Sequence, residues 1–147
     1  MHALFPMFSI ALLAQAPAPS ANYVQEHYTK REVRIAMRDG VKLFTSIYVP
    51  KDTSRTYPVM MQRTPYSVAP YGPDKFKWGL GPSRLFTEEG FIFVFQDVRG
   101  RMMSEGTFIE MTPHKAHKGP KDVDESTDTF DTVDWIVKNL ATNGKVG

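Results

Sequence analysis

Phe91-Ile92-Phe93-Val94-Phe95 is the feature that most limits how this chain can fold. Five apolar residues run without alternation, between Gly90 and the polar pair Gln96-Asp97. A strand with one wet face alternates apolar and polar residues; one that does not must be covered on both faces, as at the centre of a parallel sheet. The run therefore predicts a central strand, flanked on both sides by parallel strands and covered above and below.

The flanking segments supply the rest of such a sheet. Glu32–Met37 and Lys42–Val49 are alternating runs joined through Arg38-Asp39-Gly40, whose Asp-Gly pair favours a tight hairpin turn. Pro50 ends the second run, because proline cannot donate to a ladder. Pro58–Gln62 is a short apolar strand broken by Thr64-Pro65-Tyr66-Ser67. A long loop reaches to Gly81, and Pro82–Glu89 predicts a short helix stopped by Gly90. Asp122–Leu140 is the strongest helix, with Phe130, Val133, Ile136, Val137 and Leu140 as its apolar stripe and acidic residues in its first turn. Asn143-Gly144 stops that helix. Lys145-Val146-Gly147 begins a further strand that has no room to form, which leaves an open sheet edge and an aggregation-prone chain. An antiparallel hairpin followed by β-α-β-α is an α/β arrangement with parallel strands, and the expectation is a chain that stops partway through its domain.

Composition narrows the function. A net charge of +2 over 147 residues gives no reason to expect nucleic acid or an acidic membrane surface as partner. There is no cysteine, so disulfides, a thiolate nucleophile and thiolate metal sites are excluded. Ala3–Leu13 is apolar and is followed by Ala14-Gln15-Ala16 and a Pro/Ala/Ser stretch. Residues 1–20 thus read as a secretory leader and flexible start, although no Lys or Arg precedes the apolar run, and 21–147 as the folded part. The expected location is secreted or periplasmic, with no membrane span, because the apolar run is too short.

Arg63-Thr64-Pro65-Tyr66, then Gln96-Asp97-Val98-Arg99-Gly100-Arg101 with Ser104-Glu105-Gly106, resemble the X-prolyl dipeptidyl peptidase and cocaine esterase family. Within it, the run Asp124–Asn139 followed by Asn143-Gly144-Lys145-Val146-Gly147 looks like the α-amino acid ester hydrolases and glutaryl-cephalosporin acylases. The resemblance spans Glu32 to Gly147. It implies the N-terminal part of an α/β-hydrolase sheet, truncated before the G-x-S-Y-x-G nucleophile elbow, with a Ser-Asp-His triad, cap and jelly-roll domains supplied by a longer parent. It also implies a small-molecule ester or amide substrate, no cofactor and no metal, and a fragment inert by itself.

Tyr66 is the one catalytic residue that the resemblance places in this chain, as a hydroxyl donor to the oxyanion of acyl transfer. A tyrosine merely packed beneath its loop is the bland alternative. For Asp97 and Arg99, at the end of the apolar strand, ion pairing and loop-fixing hydrogen bonds are preferred to a substrate clamp. His114 and His117 read as a solvated loop rather than metal ligands, and the carboxylates from Asp122 to Asp134 as a solvated helix face. Ser67, Ser83 and Ser104 lie outside any G-x-S-x-G context. Three functions stand open: part of a serine hydrolase, a non-catalytic secreted binding module, or the remnant of a truncated gene.

Overall fold

The computed structural model describes residues 22–147, so the leader assigned to 1–20 lies outside the described residues. The elements in chain order are α1 (Tyr23–His27), β1 (Tyr28–Ala36), β2 (Lys42–Pro50), β3 (Tyr57–Thr64), α2 (Arg84–Glu89), β4 (Ile92–Asp97), α3 (Glu125–Asn139) and β5 (Thr142–Val146). The five strands form one sheet in the order β1-β2-β4-β3-β5. The sheet is mixed, with β3, β4 and β5 parallel and the β1–β2 hairpin antiparallel to β4 through β2.

All six residues of β4 are buried, as its apolar run demands. Its neighbours differ from expectation: β3 is parallel to it, but β2 is antiparallel. The reason is topological. A short loop turns the chain from β2 into β3, and the connection through α2 then returns β4 parallel to β3. Because β4 inserts between β2 and β3, it must run against β2.

The hairpin turn forms where expected, with Gly40 N–H donating to the Met37 carbonyl at 2.8 Å. Gly40 takes a positive φ of 90° and Asp39 does not, which is a type I turn followed by a left-handed residue. β1 begins at Tyr28, ahead of its expected start at Glu32. Tyr28 is buried and its hydroxyl donates to the Thr87 carbonyl at 2.6 Å, tying β1 to α2. Gly90, at φ 84°, ends α2 as expected; α2 itself starts at Arg84, after Pro82.

Strand alternation divides the core between the two faces of the sheet. Phe44, Tyr48, Phe93 and Phe95 pack with Tyr28, Val68 and Leu80 under α1, α2 and the loop after β3. Ile47, Val59, Ile92 and Val94 pack on the opposite face against Ile136 of α3.

Two expectations about the C-terminal part are corrected. A final strand does form: β5 pairs in parallel with β3, and an irregularity around Asn143–Lys145 absorbs the extra residues between two paired positions. The Met61 N–H donates to the Gly147 carbonyl at 2.8 Å and the Gly147 N–H to that of Val59 at 3.0 Å, so β3 is not an open edge. Gly144, read as a helix stop, lies within β5 at φ 81°. The face of α3 also differs. Phe130 is 63% exposed and Val137 44%, whereas Thr127, Asp128, Thr132 and Ile136 are buried. The first half of α3 lies over the polar end of β4, so polar residues at i, i+4 spacing face inward there. Ile136 is fully buried, so Ile136→Ala should cost about 2–5 kcal/mol, and Val137→Ala about 0.5 kcal/mol or less, by urea denaturation. Equal losses would contradict this assignment of the buried face.

Candidate functional site

β3 and β4 run in parallel register with Thr64 opposite Asp97, so both carboxyl ends stop at one level. Crevices outside such ends are where ligands of α/β sheets gather. The loops that leave here carry Pro65-Tyr66-Ser67-Val68 from β3 and Val98-Arg99-Gly100-Arg101 from β4.

Tyr66 lies in the loop after β3 and is 83% exposed, which removes the reading of a ring packed beneath the loop. Its backbone N–H donates to Thr64 Oγ1 at 3.1 Å, while among the described residues its hydroxyl has no hydrogen-bond partner. The ring and hydroxyl stand open at this end of the sheet.

Asp97 is fully buried and fixes loops, as preferred from sequence. Its carboxylate accepts the Val68 N–H at 3.0 Å, the Tyr71 hydroxyl at 3.0 Å and the Met103 N–H at 3.3 Å. The Asp97 carbonyl accepts the Ser104 hydroxyl at 2.6 Å. A buried carboxylate is tolerated only when so supplied with donors.

Arg99 is an ion-pair residue. It donates to Asp128 from Nε at 3.0 Å and Nη2 at 2.7 Å, and to Asp39 from Nη1 at 2.7 Å. The hydrogen bonds to Asp128 hold its guanidinium pKa up, against a smaller downward push from burial. With its fork occupied by two carboxylates, Arg99 is no clamp for a substrate. Gly100 follows at φ 69°, and a Cβ there would lie 2.1 Å from the Phe108 nitrogen, so no side chain fits.

The acidic cluster is a first-turn, solvated face only in part: Glu125 is exposed, whereas Asp124 and Asp128 turn inward. Asp124 is 5% exposed and caps α3, accepting the Thr127 N–H at 2.9 Å. Burial pushes the Asp124 carboxyl up, but hydrogen bonds from Ser126, Thr127 and Lys118 outweigh it and hold the group well below the usual carboxylate range. Asp128, 1% exposed, joins Arg99 and, at 3.8 Å, Arg63. Arg63 also donates to Gln96 Oε1 at 2.8 Å, and the Gln96 amide donates to Thr45 and Thr132 at 3.0 Å each. Sequence reading missed this network. Its signal was Gln96, the first of the two polar residues after the apolar run, with Asp128 and Thr132 at i, i+4 on the helix packed above it.

His114 lies 3.5 Å from Asp124 in an exposed loop. Among the described residues no group of three or more His, Cys, Asp or Glu side chains could hold a metal, and no helix is long and apolar enough to cross a membrane. Ser67, Ser83 and Ser104 lie outside the strands and helices. Ser104 is occupied in joining the Phe44 N–H to the Asp97 carbonyl.

Residues 39–147 match the family model described as X-Pro dipeptidyl-peptidase (S15 family). The chain belongs to this family. It is similar to the cocaine esterase of Rhodococcus sp. (strain MB1 Bresler), with 35% identity over 117 residues, covering 78% of this chain and 18% of that protein. Among solved structures, an α-amino acid ester hydrolase matches with TM-score 0.68 and 38% identity, over 97% of this chain and 24% of that one. An aminopeptidase from a marine sediment Thaumarchaeota archaeon matches with TM-score 0.67 and 35% identity, over the same shares of the two chains. The chain therefore spans about a fifth to a quarter of these relatives.

Two outcomes follow for this family segment. Asp128→Ala leaves Arg99 paired with Asp39 alone, takes the carboxylate from beside Arg63 Nη2 in a largely dry site, and should lower stability by about 3 kcal/mol, read by urea denaturation; a loss under about 1 kcal/mol would show that the remaining partners and solvent replace the carboxylate. Acid should also unfold the chain progressively. Hydrogen bonds from Arg38 hold Asp131 below the usual carboxylate range, outweighing burial, and Asp122 is lowered likewise by Lys115. Folded-state values below the unfolded ones mean that the unfolded chain binds more protons. The stability these groups contribute is complete above about pH 5 and lost as pH falls from about 4 through the folded values. Thermal midpoints measured from pH 7 to pH 2 check this, and a flat profile would contradict it.

Proposed function

We propose that this chain is the amino-terminal segment of a serine hydrolase acting on small esters or amides, and that Tyr66 donates its hydroxyl to the oxyanion of acyl transfer. The observation that carries the reading is an exposed, unpaired phenol at the carboxyl end of β3, in a chain of this family. Attack of a serine on a carbonyl carbon moves negative charge to the carbonyl oxygen. A donor already held beside that position stabilises the charge without reorganising. No serine here lies in a G-x-S-x-G context. The nucleophile, acid and histidine are assigned to other polypeptide of the same enzyme, and the 147-residue chain alone is expected to be inert toward p-nitrophenyl esters.

Similarity to an α-amino acid ester hydrolase favours α-amino acyl esters as the substrate class. The apolar run and Ala14-Gln15-Ala16 pattern in the first twenty residues support export to the periplasm or medium.

Tyr66→Phe in the triad-bearing enzyme keeps the ring and removes the donor. It should lower kcat by about 10²-fold or more, with KM within about threefold of the parent. Steady-state kinetics on an α-amino ester, with circular dichroism to confirm folding, makes the test. A variant within about threefold of the parent in kcat would assign the oxyanion to other donors and sink the reading.

A further inference from the structure

An exposed side chain gains little from packing, so the Tyr66 ring itself contributes nothing that would fix the backbone carrying it. Around Tyr66 that backbone is heavily fixed on both sides. Before it, the Pro65 carbonyl accepts Arg101 Nε at 3.0 Å. After it, Ser67 sits at φ 98°, a state that non-glycine residues rarely take and that persists only where the surroundings enforce it. The Ser67 hydroxyl oxygen accepts the Ala69 N–H at 3.1 Å and lies 2.9 Å from the Tyr71 hydroxyl. Tyr71 has one hydroxyl proton, and it is directed to Asp97 Oδ2 at 3.0 Å. Ser67 must therefore be the donor in its contact with Tyr71. Burial raises the Tyr71 pKa, which keeps the phenol protonated and the direction of this relay fixed. The other oxygen of Asp97 holds the Val68 N–H.

We infer that the Ser67–Tyr71–Asp97 relay, assisted by Arg101, is the positioning device that aims the Tyr66 hydroxyl. This rests on the oxyanion reading of Tyr66 above. None of these residues touches the reacting carbonyl; each acts through the backbone next to Tyr66. A second layer backs the relay. The buried Lys30 ammonium on β1 donates to the carbonyls of Pro70, Gly72 and Lys75 at 2.7–2.8 Å, anchoring the loop on both sides of Tyr71. Without the Tyr71 hydroxyl, Ser67 loses an acceptor and is free to leave its positive φ, which swings Tyr66 off its line.

Tyr71→Phe removes one oxygen and keeps the ring against Phe44, whose centroid is 5.3 Å away. In the 147-residue chain, ¹⁵N relaxation should give backbone order parameters near about 0.85 at Tyr66 and Ser67, falling below about 0.6 in Tyr71→Phe. Ser67→Ala, at a turn and outside the core, gives the same readout if Tyr71→Phe fails to fold. In the triad-bearing enzyme, Tyr71→Phe should lower kcat about tenfold or more with KM unchanged, and adding it to Tyr66→Phe should lower kcat no further. Unchanged order parameters, or losses that multiply in the double variant, overturn the inference. If Tyr66→Phe is impaired and Tyr71→Phe matches the parent, the positioning role alone fails. If Tyr66→Phe is fully active, the oxyanion reading fails and the positioning role falls with it.

Discussion

β4 is buried along its whole length, and its last two side chains are polar. Alternation sends them to opposite faces: Gln96 toward α3, Asp97 toward the loop after β3. Each must find partners inside, since an unpaired buried amide or carboxylate is strongly disfavoured. Thr45, Thr132 and Arg63 converge on Gln96, and Val68, Tyr71 and Met103 on Asp97. One strand end thereby sets both the seat of the helix and the course of the tyrosine loop.

The same demand links the hairpin to α3. Arg99 bridges Asp39 in the turn and Asp128 on the helix. Further along α3, Asp131 receives Arg38 of the turn through both carboxylate oxygens, at 3.0 Å from Nε and 2.8 Å from Nη2. Bidentate arginine–carboxylate pairs fix orientation as well as distance. Charge thus holds the turn against the first half of α3, whereas near Ile136 the helix is seated by apolar packing, where no such specificity is needed.

Much of the fold was legible because its signals are local. The unbroken run before Gln96, the Asp39-Gly40 turn, the Gly90 stop and the acidic start of α3 each carry their own instruction. The direction of β2 relative to β4 was not legible, because it depends on which strand inserts between which. The inward face of α3 was misread for a related reason: Phe130 and Val137 look like core by hydropathy, but the surface under the start of that helix is polar, so Asp128 and Thr132 turn inward. β5 was underestimated because an Asn-Gly pair reads as an end, whereas here it makes an irregularity within a strand. At the site, the place of Tyr66 after β3 and the loop-fixing character of Asp97 could be read from sequence. The partners of Asp97 could not, because Val68 and Tyr71 lie 29 and 26 residues away in a loop without periodicity.

The close approach at Gly100 bears on how such a segment can be re-engineered. A methyl group at that position would meet the backbone of Thr107 and Phe108, and one at Gly106 would meet the Arg99 side chain. The loop after β4 is thus folded onto itself at two points, while Arg101 and Asp97 bind it to the loop after β3. Neither loop is a separable module. Libraries that shuffle one against a fixed copy of the other would separate these partners, whereas residues 63–108 moved as a single cassette would carry the Arg101–Pro65, Asp97–Val68 and Asp97–Tyr71 hydrogen bonds with them.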